Sequence, residues 1–243
     1  MKRLLFIAPA LLVLCLAGCI FDHDDSGDRL RAERYFPLKE NTSWTYRDTY
    51  GDGSEGTSTL TITGKTTQEG HEYAVFSVEE ARAENYFRIE NNVVYVYMGD
   101  TAALPVPDNS PRRRAALPAF GMSAGEHEWP YFDFSAKNGD TWDIYRETLN
   151  LTGAVTDVVI TGKLTTGAVE VESGSYEDCA IFTITTVKKT TYTDSRPARE
   201  EKNTVTWWLA PDIGLVKQSQ EIRTGDNPPE IIESELLYYS VPF

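Results

Sequence analysis

Apolar and polar positions alternate along most of this chain with a period near two, the pattern of strands that bury one face. Trp44-Thr-Tyr-Arg-Asp-Thr-Tyr50 opens it, and Gly51-Asp-Gly-Ser-Glu-Gly56 interrupts it with a turn-rich break. Residues 57–65 resume it with Leu60 and Ile62 on one face, and Gln68-Glu-Gly-His71 turns the chain into Tyr73-Ala-Val-Phe-Ser-Val78. Residues 86–89 and 93–98 flank Glu90-Asn-Asn92, which predicts a hairpin. Residues 81–85 suit one helical turn and are too short for a helix that stands alone.

Later strands are predicted at 142–145, 157–165, 169–171, 176–186, 204–209 and 215–223, with 188–193 continuing or answering the long one. A last strand, 233–241, closes the chain. Helix-favouring runs are rare and Thr is common, so the pattern predicts an all-β protein. We read it as an antiparallel curved sheet, or a partly open barrel or sandwich, built from two related meander units.

Two of these runs resemble each other. Residues 59–67 and 157–165 agree at five of nine positions, 98 residues apart. The same spacing sets Trp44 against Trp142. Cys179-Ala-Ile-Phe-Thr-Ile184 matches Tyr73-Ala-Val-Phe-Ser-Val78 in residue type at a spacing of 106. One unit used twice, over residues 35–100 and 130–223, accounts for these matches. Residues 101–119 lie between the units and carry Pro105, Pro107, Pro111 and Pro118. Prolines at that density exclude a central strand.

The first 34 residues do not share the alternation. Lys2 and Arg3 precede a run from Leu4 to Leu16 that is apolar apart from Pro9 and Cys15 and too short to span a bilayer comfortably. Residues 1–18 read as an export signal, which is not part of the fold. The run ends Leu16-Ala-Gly-Cys19, which resembles the bacterial lipobox. That resemblance implies diacylation of Cys19 as the new N-terminus and anchoring in a lipid bilayer. Two acyl chains make such an anchor stable, at about 0.8 kcal/mol per buried CH₂. Ile20, rather than Asp, follows the cysteine. By resemblance to Gram-negative lipoproteins, this implies the outer membrane of the cell envelope. Residues 19–34, with Asp22-His-Asp-Asp-Ser-Gly-Asp28 at their centre, form a flexible acidic tether to a β domain over 35–243.

Composition then removes several functions. The formal net charge is −14, and loss of Lys2 and Arg3 leaves about −16. Such a surface repels phosphate backbones, so no nucleic-acid partner is expected. With Cys15 in the signal and Cys19 acylated, Cys179 is the one thiol of the domain and no internal disulfide is expected. His71 and His127 are the domain's only imidazoles, and Glu177 and Asp178 beside Cys179 raise a thiol pKa rather than lower it. Cys179 therefore reads as a buried structural thiol. Glu126-His-Glu128 lacks the further spaced ligands of a metal site. No triad, P-loop or dinucleotide fingerprint occurs, and no cofactor or metal is expected.

Candidate binding residues remain. Trp44, Tyr46, Trp142, Trp207 and Trp208 either fill the core or face a ligand. If they line a cavity, the ligand is lipid-like or aromatic; an exposed row beside carboxylates suits a glycan. Arg112, Arg113 and Arg114 form the one basic cluster of the domain, a candidate contact for a polyanion or a protein partner.

Three segments carry a family resemblance: Tyr35-Phe-Pro-Leu-Lys-Glu-Asn-Thr-Ser-Trp-Thr-Tyr46, Gly174-Ser-Tyr-Glu-Asp-Cys179 and Trp207-Trp-Leu-Ala-Pro-Asp-Ile-Gly-Leu-Val-Lys217. They resemble uncharacterised bacterial exported proteins and lipoproteins labelled DUF3108-like. Asn41 and Asp212 stand where that group usually has Gly, and both residue types adopt turn geometry. No catalytic residues transfer from the group. There is also a remote similarity to the curved antiparallel sheets of lipoprotein carriers.

The expected function is thus a non-enzymatic, membrane-anchored envelope lipoprotein that binds an apolar ligand, a glycan or a protein partner. The alternatives are an assembly factor of the envelope with no small ligand, and a hydrolase with an unrecognised site. The lipobox makes one prediction. Cells fed an alkyne-tagged palmitate label the wild-type chain and not its Cys19→Ser variant; equal labelling of both excludes acylation at Cys19.

Overall fold

A computed structural model of the protein describes residues 30–78, 83–97, 128–225 and 227–242. One short helix, α1 (Ala32–Tyr35), precedes twelve strands. The first six are β1 (Ser43–Thr49), β2 (Glu55–Gln68), β3 (His71–Val78), β4 (Ala83–Glu90), β5 (Val93–Tyr97) and β6 (Glu128–Asp133). The second six are β7 (Thr141–Leu151), β8 (Ala154–Val171), β9 (Gly174–Tyr192), β10 (Arg199–Ala210), β11 (Gly214–Thr224) and β12 (Glu230–Ser240).

All twelve belong to one sheet, ordered β6-β5-β4-β3-β2-β1-β12-β11-β10-β9-β8-β7. Each sequence neighbour from β1 to β6 and from β7 to β12 is an antiparallel neighbour in space. The first and last strands also pair, with Ser43 opposite Ser240 and Thr49 opposite Glu233. The sheet curls into a nearly closed barrel, and its single unsealed seam falls between β6 and β7.

Turn chemistry follows the sequence closely. Asn91 and Asn92 join β4 to β5 with φ of 51° and 65°, the left-handed pair that a two-residue hairpin turn needs. Asn41 and Asp212 both sit at φ 64°, so the two Gly-replacing residues do adopt turn geometry. Pro130 lies in β6, an edge strand, where its missing N–H costs no ladder bond.

Several boundaries differ from the sequence expectation. Residues 83–85 belong to β4 rather than to a helical turn. The runs 157–165 and 169–171 are one strand, β8, of 18 residues. The next predicted pair is also one strand, β9, of 19 residues. Residues 30–34 are docked on the barrel, although the sequence places them in the tether. Asn92 holds them at both ends: its Oδ1 accepts from Ala32 N at 2.7 Å, and its Nδ2 donates to Leu30 O at 2.8 Å. Arg34 Nε donates to Asp212 Oδ2 at 3.1 Å. A one-turn helix has no stability of its own, so these bonds and the burial of Ala32 and Tyr35 make α1.

The matched runs also differ in register. Ile62 bonds the backbone of Asn41 and Thr42, whereas Leu164 bonds Gly139 and Asp140. Ile160, the sequence match of Ile62, lies four residues before Leu164 on β8. One strand further on, Phe76 lies opposite Ile62 and Phe182 opposite Leu164.

The barrel is filled by aromatic rings. Phe36 follows α1 into the interior and meets Phe76, Phe87 and Phe132 at centroid distances of 5.4, 5.2 and 5.7 Å. Phe132 of β6 and Phe182 of β9 are 4.7 Å apart. At the seam, side chains stand in for the missing ladder. Trp142 of β7 packs its indole against Gly162 of β8, reaches Pro130 O of β6 with Nε1 at 3.4 Å, and meets Phe182 edge-on. Trp129 of β6 meets Tyr145 of β7 edge-on at 5.9 Å. On its other side β6 is fixed by Glu128, which accepts two bonds from Arg88 of β4, at 2.5 and 2.7 Å, and one from Tyr73 of β3.

Gly162 is required by that arrangement, since a Cβ there would lie 2.3 Å from the Trp142 ring. Gly162→Ala is expected to displace the indole, shift Trp emission and cost about 1–3 kcal/mol in denaturant unfolding. Gly167→Ala is the control, because its Cβ meets only the flexible end of Ile181 at 3.2 Å. Equal losses in the two variants would show that Trp142 does not depend on the space above Gly162.

Candidate functional site: a cavity inside the barrel

Strand periodicity brings the site together. On β1, Trp44, Tyr46 and Asp48 fall at alternate positions and all point inward, with exposures of 2%, 4% and 1%. Leu60 of β2 lies opposite Trp44, and Val78 of β3 lies opposite Leu60. Phe76 of β3 stacks on Trp44 at 6.1 Å. With Phe36 and Phe87 these residues wall a cavity of about 60 Å³. Trp207, Gln218 and Ser234 complete it from β10, β11 and β12.

The aromatic walls are pinned by their polar atoms. Trp44 Nε1 donates to Ile213 O at 2.7 Å, and Tyr46 Oη donates to Leu215 O at 3.0 Å. Both bonds cross from β1 to the start of β11, so they fix the rings and leave their apolar faces to the cavity. Burial, then the charge of Asp48, pushes the Tyr46 phenol well above its usual range. It stays neutral at any physiological pH.

A row of polar side chains on four adjacent strands runs beside the cavity, and its first three members line it. Trp207 lies opposite Gln218, Gln218 opposite Ser234, and Ser234 opposite Asp48. Ser234 Oγ donates to Asp48 Oδ1 at 2.6 Å. Trp207 is 5% exposed, and its Nε1 has no hydrogen-bond acceptor.

A second hollow, about 850 Å³ and open to solvent, lies where Arg196, Arg199, Lys202 and Arg223 gather. Three of these cations already have carboxylates: Arg196 has Asp194, Arg199 has Glu201 and Arg223 has Glu221. The hollow is thus largely neutralised, and the interior cavity is the better-built site.

The five candidate aromatics divide. Trp44, Tyr46 and Trp207 line the cavity. Trp142 serves the seam. Trp208, next to Trp207 on β10, faces the opposite side of the sheet, where the Lys217 ammonium lies 5.9 Å from its ring. Cys19, Arg112, Arg113, Arg114 and His127 lie outside the described residues. Among the described residues, no three His, Cys, Asp or Glu side chains gather as a metal site, and no helix is long and apolar enough to cross a membrane.

Sequence reasoning missed Phe36, Phe87 and the polar row. Asp48 was legible in part, since it is in phase with Trp44 and Tyr46. Gln218 and Gln220 are in phase with the apolar Val216, a polar substitution on an inward face.

Cys179 is fully buried, with Sγ 3.6 Å from Tyr176 O. Burial first, and the charge of Asp178 second, push its thiol up to about 11. His71, the one histidine among the described residues, is exposed. Ellman's reagent at pH 8 is expected to leave native Cys179 unmodified over hours and to react within minutes in denaturant. Rapid reaction in the native state would return Cys179 to the nucleophile candidates.

No family model and no curated protein matches the chain. Solved structures similar to it include a provisionally named lipoprotein from Parabacteroides distasonis, at a TM-score of 0.47 and 15% identity over 85% of this chain and 98% of that one. Another is a provisionally named exported protein with a YmcC-like fold from Bacteroides fragilis, at a TM-score of 0.46 and 16% identity over 85% of this chain and 99% of that one.

Proposed function

We propose that this chain is a lipid-anchored envelope protein that acts by binding, and that its barrel holds a small, mainly apolar molecule. The observation that carries this reading is the interior cavity, with aromatic walls fixed by backbone acceptors and a few polar groups among them. Concave and mostly apolar is the usual character of a small-molecule site, and a volume of about 60 Å³, far below the roughly 300–1,000 Å³ of drug-sized sites, limits the occupant to a small one. The interior position of Trp44, Tyr46 and Trp207 suits an apolar ligand better than a glycan. No charged side chain lines the cavity, and the one hydroxyl–carboxylate contact at its wall, Ser234 to Asp48, has no histidine beside it among the lining residues. This supports binding rather than catalysis.

The location rests on the sequence. The signal at 1–18 and the lipobox at Cys19 address the chain to the envelope, and Ile20 to the outer membrane of a Gram-negative host. Membership of the DUF3108-like group belongs to the same reading.

Native mass spectrometry of the mature protein, taken from its own host envelope, tests the proposal. A reproducible added mass that is lost on denaturation is expected. Leu60→Trp, which fills the cavity at a cost of about 1–3 kcal/mol, is expected to fold and to lack the added mass. A bare wild-type mass, or an adduct that survives in Leu60→Trp, would overturn the interior site and favour an assembly factor.

A further inference from the structure

We propose that the ligand is uncharged and carries one hydrogen-bond acceptor, a carbonyl or hydroxyl oxygen, that accepts from Trp207 Nε1. This rests on the reading that the cavity is a binding site.

The cavity's polar groups, which include Ser58 and Asn85, are unequally satisfied on the wall made by β1, β10, β11 and β12. Trp44 Nε1 and Tyr46 Oη have backbone acceptors, and Ser234 Oγ has Asp48. The Trp207 indole N–H has none, although the residue is 5% exposed and lines the cavity. An indole can only donate, so what is missing beside Trp207 is an acceptor. Gln218 lies directly across the ladder from Trp207, with its own amide on the same wall.

Charge then narrows the acceptor. Asp48 is 1% exposed and lies at the end of the same row, one strand beyond Ser234. It stands two residues along β1 from Tyr46, which lines the cavity and whose phenol is raised first by burial and then by this charge. A carboxylate brought to Trp207 would enter that field with no cation among the lining residues to meet it. An ammonium is attracted by Asp48 but has donors only, and it would leave the indole unmet. A neutral oxygen satisfies Trp207 and avoids both conflicts. The remainder of the cavity, with Phe36, Leu60, Phe76 and Phe87, is apolar apart from Ser58 and Asn85 and suits a short hydrocarbon chain. At about 10–15 Å³ per water, a volume of about 60 Å³ holds a body the size of roughly four to six waters, less than the roughly 150 Å³ of a cavity that takes benzene.

The test uses mature protein in phosphatidylcholine nanodiscs and four probes of equal chain length: 1-hexanol, n-hexane, hexanoate and hexylammonium. The Trp207 indole ¹⁵N–¹H resonance, assigned by its loss in Trp207→Phe, is followed together with the affinity. Leu60→Trp protein in the same discs gives the background from lipid partitioning. Expected is a downfield shift with 1-hexanol alone, and binding at least tenfold tighter than that of either ion. Trp207→Phe is expected to weaken 1-hexanol about tenfold and to leave n-hexane unchanged. The wild-type probe series decides the matter even where the variant folds poorly. If n-hexane binds and 1-hexanol gains nothing, or if an ion binds most tightly, the ligand class is overturned and the binding site stands. If no probe binds above background, the site itself falls, and the ligand class with it.

Discussion

The pairing of β1 with β12 is the constraint on which the structure depends. In a simple meander barrel the first and last strands would face each other across the open edge. Here they are hydrogen-bonded in mid-sheet, over Ser43 to Thr49. The seam is therefore displaced to β6 and β7, which are consecutive in the chain. Residues 134–140 connect them directly, so the two edges are held close covalently even though their backbones do not pair. An unpaired edge leaves polar groups open to unwanted partners. Trp142, Trp129 and Tyr145 cover this one with rings, while Arg88 and Glu128 tie β6 back to β4. Breaking a largely buried ion pair of that kind leaves an uncompensated charge, so the edge strand is fixed from both sides.

Barrel width accounts for the cavity. Twelve strands enclose more cross-section than ordinary side chains fill. The chain answers with its largest rings and with a plug from outside the sheet: α1 docks at one end through Asn92 and Asp212, and Phe36 enters behind it. The unfilled space lies between that plug and the polar row on β10, β11, β12 and β1. Trp44 and Tyr46, which line it, are held in place by bonds to the backbone around Gly214, where an added Cβ would touch Trp44 and where φ of +94° also calls for glycine. The cavity is thus set by backbone positions and not by rotamer choice alone.

Local features of this fold could be read from the sequence because they have local causes. Alternation predicted the strands, Asn91-Asn92 the hairpin, and the turn tolerance of Asn and Asp the geometry at Asn41 and Asp212. Long-range features were not legible. Nothing local says that β1 will pair with β12, or that Trp207 and Trp208, adjacent in the chain, serve opposite faces with different purposes. The spacing of 98 residues matched Ile62 with Ile160, but backbone bonds to the preceding turn are made by Leu164. A slip of four keeps the same face inward, so the hydrophobic pattern could not detect it. α1 was missed because its stability comes from groups 60 and 178 residues away in sequence.

The polar row distinguishes the interior from a plain apolar core. A core chosen for stability alone would fill these inward positions with apolar side chains, since a buried polar group is costly unless it is hydrogen-bonded. Instead, four neighbouring strands each turn a residue with a polar group inward at one level. One contact within the row, Ser234 to Asp48, satisfies part of it. The indole N–H of Trp207 is left without an acceptor, in a wall otherwise fixed by hydrogen bonds. The cavity is therefore not merely space left by imperfect packing. Its lining is mainly apolar, with Phe36, Leu60, Phe76 and Phe87, and carries polar side chains at Trp207, Gln218 and Ser234 and again at Ser58 and Asn85.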